Sequence, residues 1–191
     1  MIVTANPGFA PVSDRGIDGF SFEYDGKYYA NINGFFNENY AHLPYYRDQG
    51  YTEYYHEGVD FHGIIGTKIV AMIYAKVLAY GTFGTYGNTL ILANTHEEGI
   101  YLLGHLDDKR SDLRENDYVE PHDVIAYVGN TGGSSTGPHL HLSYYHFKYD
   151  ENRKFVEKDS QSNLSWVNWT PRTYLTDPFT HKGERKEHKK G

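Results

Sequence analysis

Eleven of the 191 residues are histidine and none is cysteine. Thiolate zinc sites, iron–sulfur clusters, disulfides and a cysteine nucleophile are therefore excluded, and any metal must be held by His, Asp or Glu. Three segments carry the informative histidines. In His56-Glu57-Gly58-Val59-Asp60, Gly58 and nearby Gly63 disfavour a helix, so the segment is expected to be extended, with positions i and i+4 on one face. In His139-Leu140-His141 the two imidazoles share a face of a strand while Leu140 points to the other side to pack. His105 ends the apolar run Tyr101-Leu102-Leu103-Gly104. Two imidazoles and one carboxylate with an open fourth position make a catalytic zinc arrangement, whereas closed structural sites more often use four ligands. Each piece alone is commonplace, since His-x-His on a strand is more often a solvated or satisfied pair. Spacing does not separate His139 from His141.

The elements that must position these groups read as strands. The chain holds 19 Tyr and 20 Gly, the composition of short strands alternating with tight turns. Lys68 to Ile73, Lys76 to Tyr80 and Thr89 to Ala93 are apolar or β-branched runs set apart by Gly81, Gly84 and Gly87, the pattern of successive antiparallel strands. Ile100 to Leu103, Val124 to Gly129 and a long run from His139 to Tyr149 are further strands, and a helix is expected only over Asp107 to Asn116. The expected fold is mainly β, a single domain on antiparallel sheets with a substrate groove. Its boundaries are a loop-rich N-terminal lead-in with short strands over 1–45, the domain over 46–180, and a charged tail over 181–191. The tail has five basic and two acidic residues and almost nothing apolar, so it is expected to be disordered.

Composition narrows the partners. Net charge is −7, which argues against a nucleic-acid surface, where clustered positive charge supplies most of the affinity. No apolar run approaches the roughly 20 residues that cross a bilayer. Met1 to Pro7 has neither the basic start nor the apolar stretch of a signal peptide, so export is expected to use another route or a leader already removed.

The run Gly129-Asn130-Thr131-Gly132-Gly133-Ser134-Ser135-Thr136-Gly137-Pro138-His139-Leu140-His141, taken with His56-x-Gly58-x-Asp60 and Gly104-His105-Leu106, resembles the lysostaphin-like (LytM-domain) zinc endopeptidases of bacterial peptidoglycan. The order and spacing of all three elements agree from Tyr51 to Tyr149, and Gly66 to Ala71 and Tyr86 to Leu92 look like the family's strand and turn blocks. The resemblance implies His56, Asp60 and His141 as ligands of one Zn2+ per chain, with His105 and His139 as the non-ligand catalytic pair. It also implies a hydrolase of peptidoglycan cross-bridge or stem peptides, in which zinc polarises the carbonyl and activates water while one imidazole moves the proton and the other orients water or steadies the oxyanion. Location is then extracytoplasmic or phage-associated, and the expected state is a monomer. The chain departs from the family in a Gly133 to Thr136 loop one residue longer than the commonest form. It also has His122 and Ala75 where many relatives carry turn glycines; His122 reads as a residue tolerating positive φ.

Other residues have plainer readings. His62 shares a side with Asp60 and is an alternative ligand or, more simply, a groove residue. His96 falls in a hairpin turn, and His42 and His146 have no partner pattern. Glu57 faces away from His56 on a strand and is a poor general base. Tyr45, Tyr46, Tyr51, Tyr54 and Tyr55 either line a groove or pack a strand, the latter being the commoner use. Asn31, Asn33, Asn37 and Asn39 raise the less favoured option of an upstream Asn laid across the metal, as in latent relatives. The competing functions are a non-catalytic wall-binding module and a non-haem iron oxygenase, though the latter usually spaces its first pair as His-x-Asp.

Overall fold

The computed structural model describes residues 21–24, 27–30, 32–71, 73–94, 99–146, 175–178 and 183–191. In chain order these hold strands β1 (Ser21–Tyr24), β2 (Lys27–Ala30) and β3 (Ile32–Gly34), the one-turn helix α1 (Pro44–Arg47), then β4 (Tyr51–Glu53), β5 (Val59–His62), β6 (Lys68–Val70) and β7 (Ala75–Thr82). A 3-10 turn at Gly84–Tyr86 leads to β8 (Asn88–Asn94), β9 (Gly99–Lys109), β10 (Tyr118–Val119), β11 (Val124–Val128), β12 (His139–His146), β13 (Leu175–Thr176) and β14 (Lys189–Lys190). The main sheet runs β10-β7-β8-β9-β12-β5-β3, with β11 joining β6 to the far end of β9 and β13 on the edge of β12. Every pairing is antiparallel. The mainly β, antiparallel expectation holds.

Period-two alternation explains why these segments are strands. Along β7, Ala75, Val77 and Ala79 are buried while Lys76, Leu78 and Tyr80 are partly exposed. The central strands β8 and β9 are buried on both faces. Leu90, Leu92, Tyr101 and Leu103 enter the larger core with Val59, Phe61, Leu140 and Leu142. Ile91, Ile100 and Leu102 pack on the opposite face with Ala79, Tyr145 and Leu175. Each fully buried Leu or Ile contributes about 1.5–3 kcal/mol, so this two-sided centre is the rigid base under the site.

Three expectations change. Asp107 to Lys109 continue strand β9 against β11 rather than opening a helix. The residues after them turn instead: Asp117 Oδ2 accepts the Arg114 N–H at 2.8 Å, Asn116 sits at φ 70°, and Leu113 anchors the loop as a fully buried side chain. Turn-forming Ser, Asp and Asn there outcompete helix hydrogen bonding. The lead-in holds short strands as expected, β3 adding an edge to β5 with Gly34 opposite Asp60, but Pro44 opens the unforeseen helix α1, its fixed φ suiting the first helical position. The tail, finally, is not disordered over 183–191. It docks on β4 through β14, with Lys189 opposite Glu53 and Gly191 N–H donating to the Gly50 carbonyl at 3.1 Å. Edge pairing and ring stacking supply the burial that its own composition lacks.

Candidate active site

The site stands on β5, β12 and a bulge of β9. Val59 and Phe61 point into the core, so Asp60 and His62 share the other face; likewise Leu140 and Leu142 pack inward and His139 and His141 project with Asp60. Strand register then pairs His141 directly with Asp60, and His139 with His62. His56 arrives differently from the expected continuous extended segment. The chain bends at Glu57 and Gly58, and the strand begins only at Val59. Gly58 is required there, because a Cβ would overlap the Leu142 carbonyl oxygen and sit 2.8 Å from His141 Nε2.

His56 Nε2, Asp60 Oδ1 and His141 Nδ1 form a triangle with each pair 3.1 Å apart. The opposite ring nitrogens have partners that assign the tautomers. His56 Nδ1–H donates to the Phe35 carbonyl at 3.1 Å. The Ser143 hydroxyl donates to the Glu57 carbonyl at 2.9 Å, leaving its oxygen to accept from His141 Nε2–H at 2.6 Å. The neutral rings so oriented turn lone pairs toward one another and toward a carboxylate oxygen, an arrangement that calls for a cation. Burial alone would raise the Asp60 carboxyl; His56 and His141 outweigh it and hold it well below the usual carboxylate range. Burial lowers His141, while for His56 the Asp60 charge more than offsets burial and leaves the imidazole raised. Tyr40, not singled out by its sequence context, stacks on His56 at 4.6 Å and donates to Asp60 Oδ2 at 3.4 Å.

His105 and His139 lie beside the triangle, their ring centroids 4.7 Å apart. His105 occupies the left-handed region at φ 60°, where β9 carries an extra residue against β8; such bulges re-aim a side chain. Its Nδ1–H donates to the Thr131 carbonyl at 2.7 Å, and burial, then the neighbouring His141 and His139, push its pKa down to about 3. His139 Nδ1–H donates to the Gly137 carbonyl at 2.7 Å, and its Nε2 lies 3.6 Å from Asp60 Oδ1. The sequence reading therefore brought all five residues to one place, and the structure puts His141, not His139, in the triangle.

These groups sit in a cleft of about 530 Å³ lined also by Tyr40, Tyr45, Tyr46, Tyr51 and Tyr54 and by Ser134, Thr136, Gly137 and Pro138. Four of the five singled-out tyrosines thus line the groove rather than pack a strand; Tyr46 stacks on Tyr54 at 3.8 Å. His62 and His42 line the same cleft, outside the triangle. Glu57 also borders the cleft, and its carboxylate pairs with His188 at 2.9 Å. His122 has φ 74°, as its turn position requires, and Ala75 is a buried strand residue. Asn37 and Asn39 hold backbone groups, of Glu184 and Lys186 and of Ala41 and Tyr54 respectively, instead of crossing the site. Asn31 and His96 lie outside the described residues, and the backbone alone is described at Asn33 and His146.

A sheet-borne cluster of two imidazoles and a carboxylate, flanked by two further imidazoles in an open cleft, has the donor set of a hydrolytic metal centre. The chain belongs to peptidase family M23, which matches residues 54–156. Lysostaphin of Staphylococcus staphylolyticus is 29% identical over 107 residues, 56% of this chain and 22% of that protein. The glycyl-glycine endopeptidase ALE-1 of Staphylococcus capitis is 27% identical over the same share of this chain and 28% of its own length. The chain thus spans between about a fifth and three tenths of these relatives. The solved structure of LytU superposes with a TM-score of 0.56 at 27% identity, covering 77% of this chain and 80% of LytU.

Proposed function

We propose that this protein is a zinc-dependent endopeptidase that cleaves peptide bonds of bacterial peptidoglycan, in the cross-bridge or the stem peptide, outside the cytoplasm. The observation that carries the reading is the triangle of His56 Nε2, Asp60 Oδ1 and His141 Nδ1, each pair 3.1 Å apart with its other hydrogen bonds already spent. Donors bound to tetrahedral zinc at ~2.0–2.1 Å stand about 3.3 Å from one another, so the residues fit that ion. Zinc held there supplies a Lewis acid for the scissile carbonyl and makes water acidic enough to ionise near neutral pH.

The rest falls to the chain. His105, held neutral and tied by Nδ1–H to Thr131, presents Nε2 as an acceptor that orients water. His139, tied the same way to Gly137, moves a proton from that water to the leaving amine. The small side chains of Gly133, Ser134, Ser135 and Gly137 let a narrow peptide approach the cleft, and the tyrosines that line it offer flat faces and hydroxyls. That ALE-1 is a glycyl-glycine endopeptidase supports a glycine-rich cross-bridge as the first substrate to try.

Defined purified peptidoglycans, incubated with the zinc-loaded protein and followed by mass spectrometry, test this directly. New amino termini on soluble fragments are expected, and the masses name the bond. Binding to the insoluble wall with no release of amines would reject the peptidase reading in favour of a wall-binding module. Iron with oxygen uptake would point to an oxygenase.

A further inference from the structure

The docked C-terminal segment makes a connection that the peptidase reading does not use. Asn37, at φ 64°, grips its backbone, Nδ2–H donating to the Glu184 carbonyl at 2.8 Å and Oδ1 accepting the Lys186 N–H at 2.9 Å. His188 is thereby set behind the segment that carries His56. Its ring stacks on Tyr54 at 3.9 Å and 9°, and Tyr54 stacks in turn on Tyr46 in the cleft wall. Its Nδ1 accepts the Tyr55 backbone N–H at 3.1 Å, so the proton resides on Nε2, which donates to Glu57 Oε1 at 2.9 Å. Both side chains are nearly buried, at 10% and 8% exposure.

Glu57 is a junction. Its side chain is held by His188, and its carbonyl accepts from Ser143, whose oxygen accepts from His141 Nε2–H. The next residue toward the N-terminus is His56. We propose that His188 is a positioning residue for the metal centre, acting through Glu57 on both imidazole members of the triangle and through Tyr54 on the cleft wall. The exposed ion pair of Lys189 with Glu53 at 2.8 Å belongs to the same docked segment and touches neither His188, Glu57 nor Tyr54, reaching only the Tyr55 side chain through Glu53, which makes it the natural control.

The test uses the full chain and its His188→Ala, His188→Gln and Lys189→Ala variants. Gln keeps an acceptor for Tyr55 and a donor for Glu57; Ala removes both. Zinc affinity, measured by competition with a chromophoric chelator, is expected to fall about 10-fold in His188→Ala, the lower end for loss of a group that orients metal ligands. It should be restored to within about 3-fold in His188→Gln and unchanged in Lys189→Ala. Hydrogen exchange on the metal-free proteins is expected to quicken at the Tyr55 amide in His188→Ala while β8 and β9 keep their protection, which also shows that the variant folds. The proposal is overturned if His188→Ala matches the parent in both readouts, or if Lys189→Ala loses as much as His188→Ala. It rests on the zinc reading for the first readout only: a parent that takes up no zinc would sink the proposed function, while Tyr55 exchange would still decide the role of His188.

Discussion

At the scale of single residues, the site divides by which hydrogen bonds each imidazole has already made. His56, Asp60 and His141 face one another across 3.1 Å with their remaining partners fixed behind them. Replacing any one by Ala removes one of the three proposed zinc ligands, so bound zinc and turnover should both be lost, as read by metal analysis after dialysis and by peptide release. His105→Ala and His139→Ala should instead retain zinc and lose turnover by about 10² to 10⁴. Zinc lost from His139→Ala and kept by His141→Ala would reverse the assignment within the pair. Ser143→Ala frees His141 Nε2–H from its acceptor, and zinc affinity should drop by about 10 to 100-fold with the fold intact. Chelator competition alongside a thermal melt separates that outcome from simple destabilisation.

At the scale of elements, two devices hold the groups in place, a bend and a bulge. The bend at Glu57 and Gly58 turns the chain so that His56 and Asp60 meet although one residue is on β5 and the other is not. Gly58→Ala drives a Cβ into the Leu142 carbonyl, so β12 must shift or the bend must open. Zinc affinity should fall with a lowered melting temperature, whereas an unchanged affinity would show that the bend has slack. The bulge in β9 costs His105 a left-handed conformation and is held by Thr131, which accepts the His105 Nδ1–H through its carbonyl and donates from its hydroxyl to the Leu106 carbonyl at 2.7 Å. Under both lies the doubly buried pair β8 and β9. Leu103→Ala, at 1% exposure on β9, should cost about 2–5 kcal/mol in urea unfolding, and a cost well under 1 kcal/mol would mean that the core beneath the site is not packed as described.

At the scale of the whole molecule, the proposed metal and stability should be coupled. The three donors are gathered from β5, β12 and the bend before them, so they are together in the folded chain and dispersed in the unfolded one. An ion that binds the folded state alone adds about 2.7 kcal/mol at a hundred times its Kd. Removing zinc with chelator should therefore lower the melting temperature, and re-addition should restore it; a melting curve blind to verified zinc removal would mean that folding does not complete the site. The docked tail belongs to this scale too, because it holds β4 and the segment that carries His56 from outside the main sheet.

Local periodicity in the sequence was enough to place strands over most of β6, β7, β8, β11 and β12 and the first part of β9, and to set Leu140 apart from His139 and His141, since alternation along a strand is a property of consecutive residues. The motif order, with its family resemblance, was enough to gather His56, Asp60, His105, His139 and His141. Between the two histidines that share a face, spacing left the choice open and the family resemblance named His141; the physical reason is register, which puts His141 rather than His139 opposite Asp60, and register is set by packing along whole strands. Tyr40 and Ser143 carry no motif, and Thr131 sits in the run before His139 with no role legible in it; they matter because the fold delivers an oxygen to a particular ring or carboxylate. The tail is the sharpest case. Its charge composition reads as solvated, yet His188 is nearly buried, because Tyr54, Tyr55 and Glu57, more than a hundred residues earlier, supply a stacking face, a donor and an acceptor that only the tertiary structure brings to it.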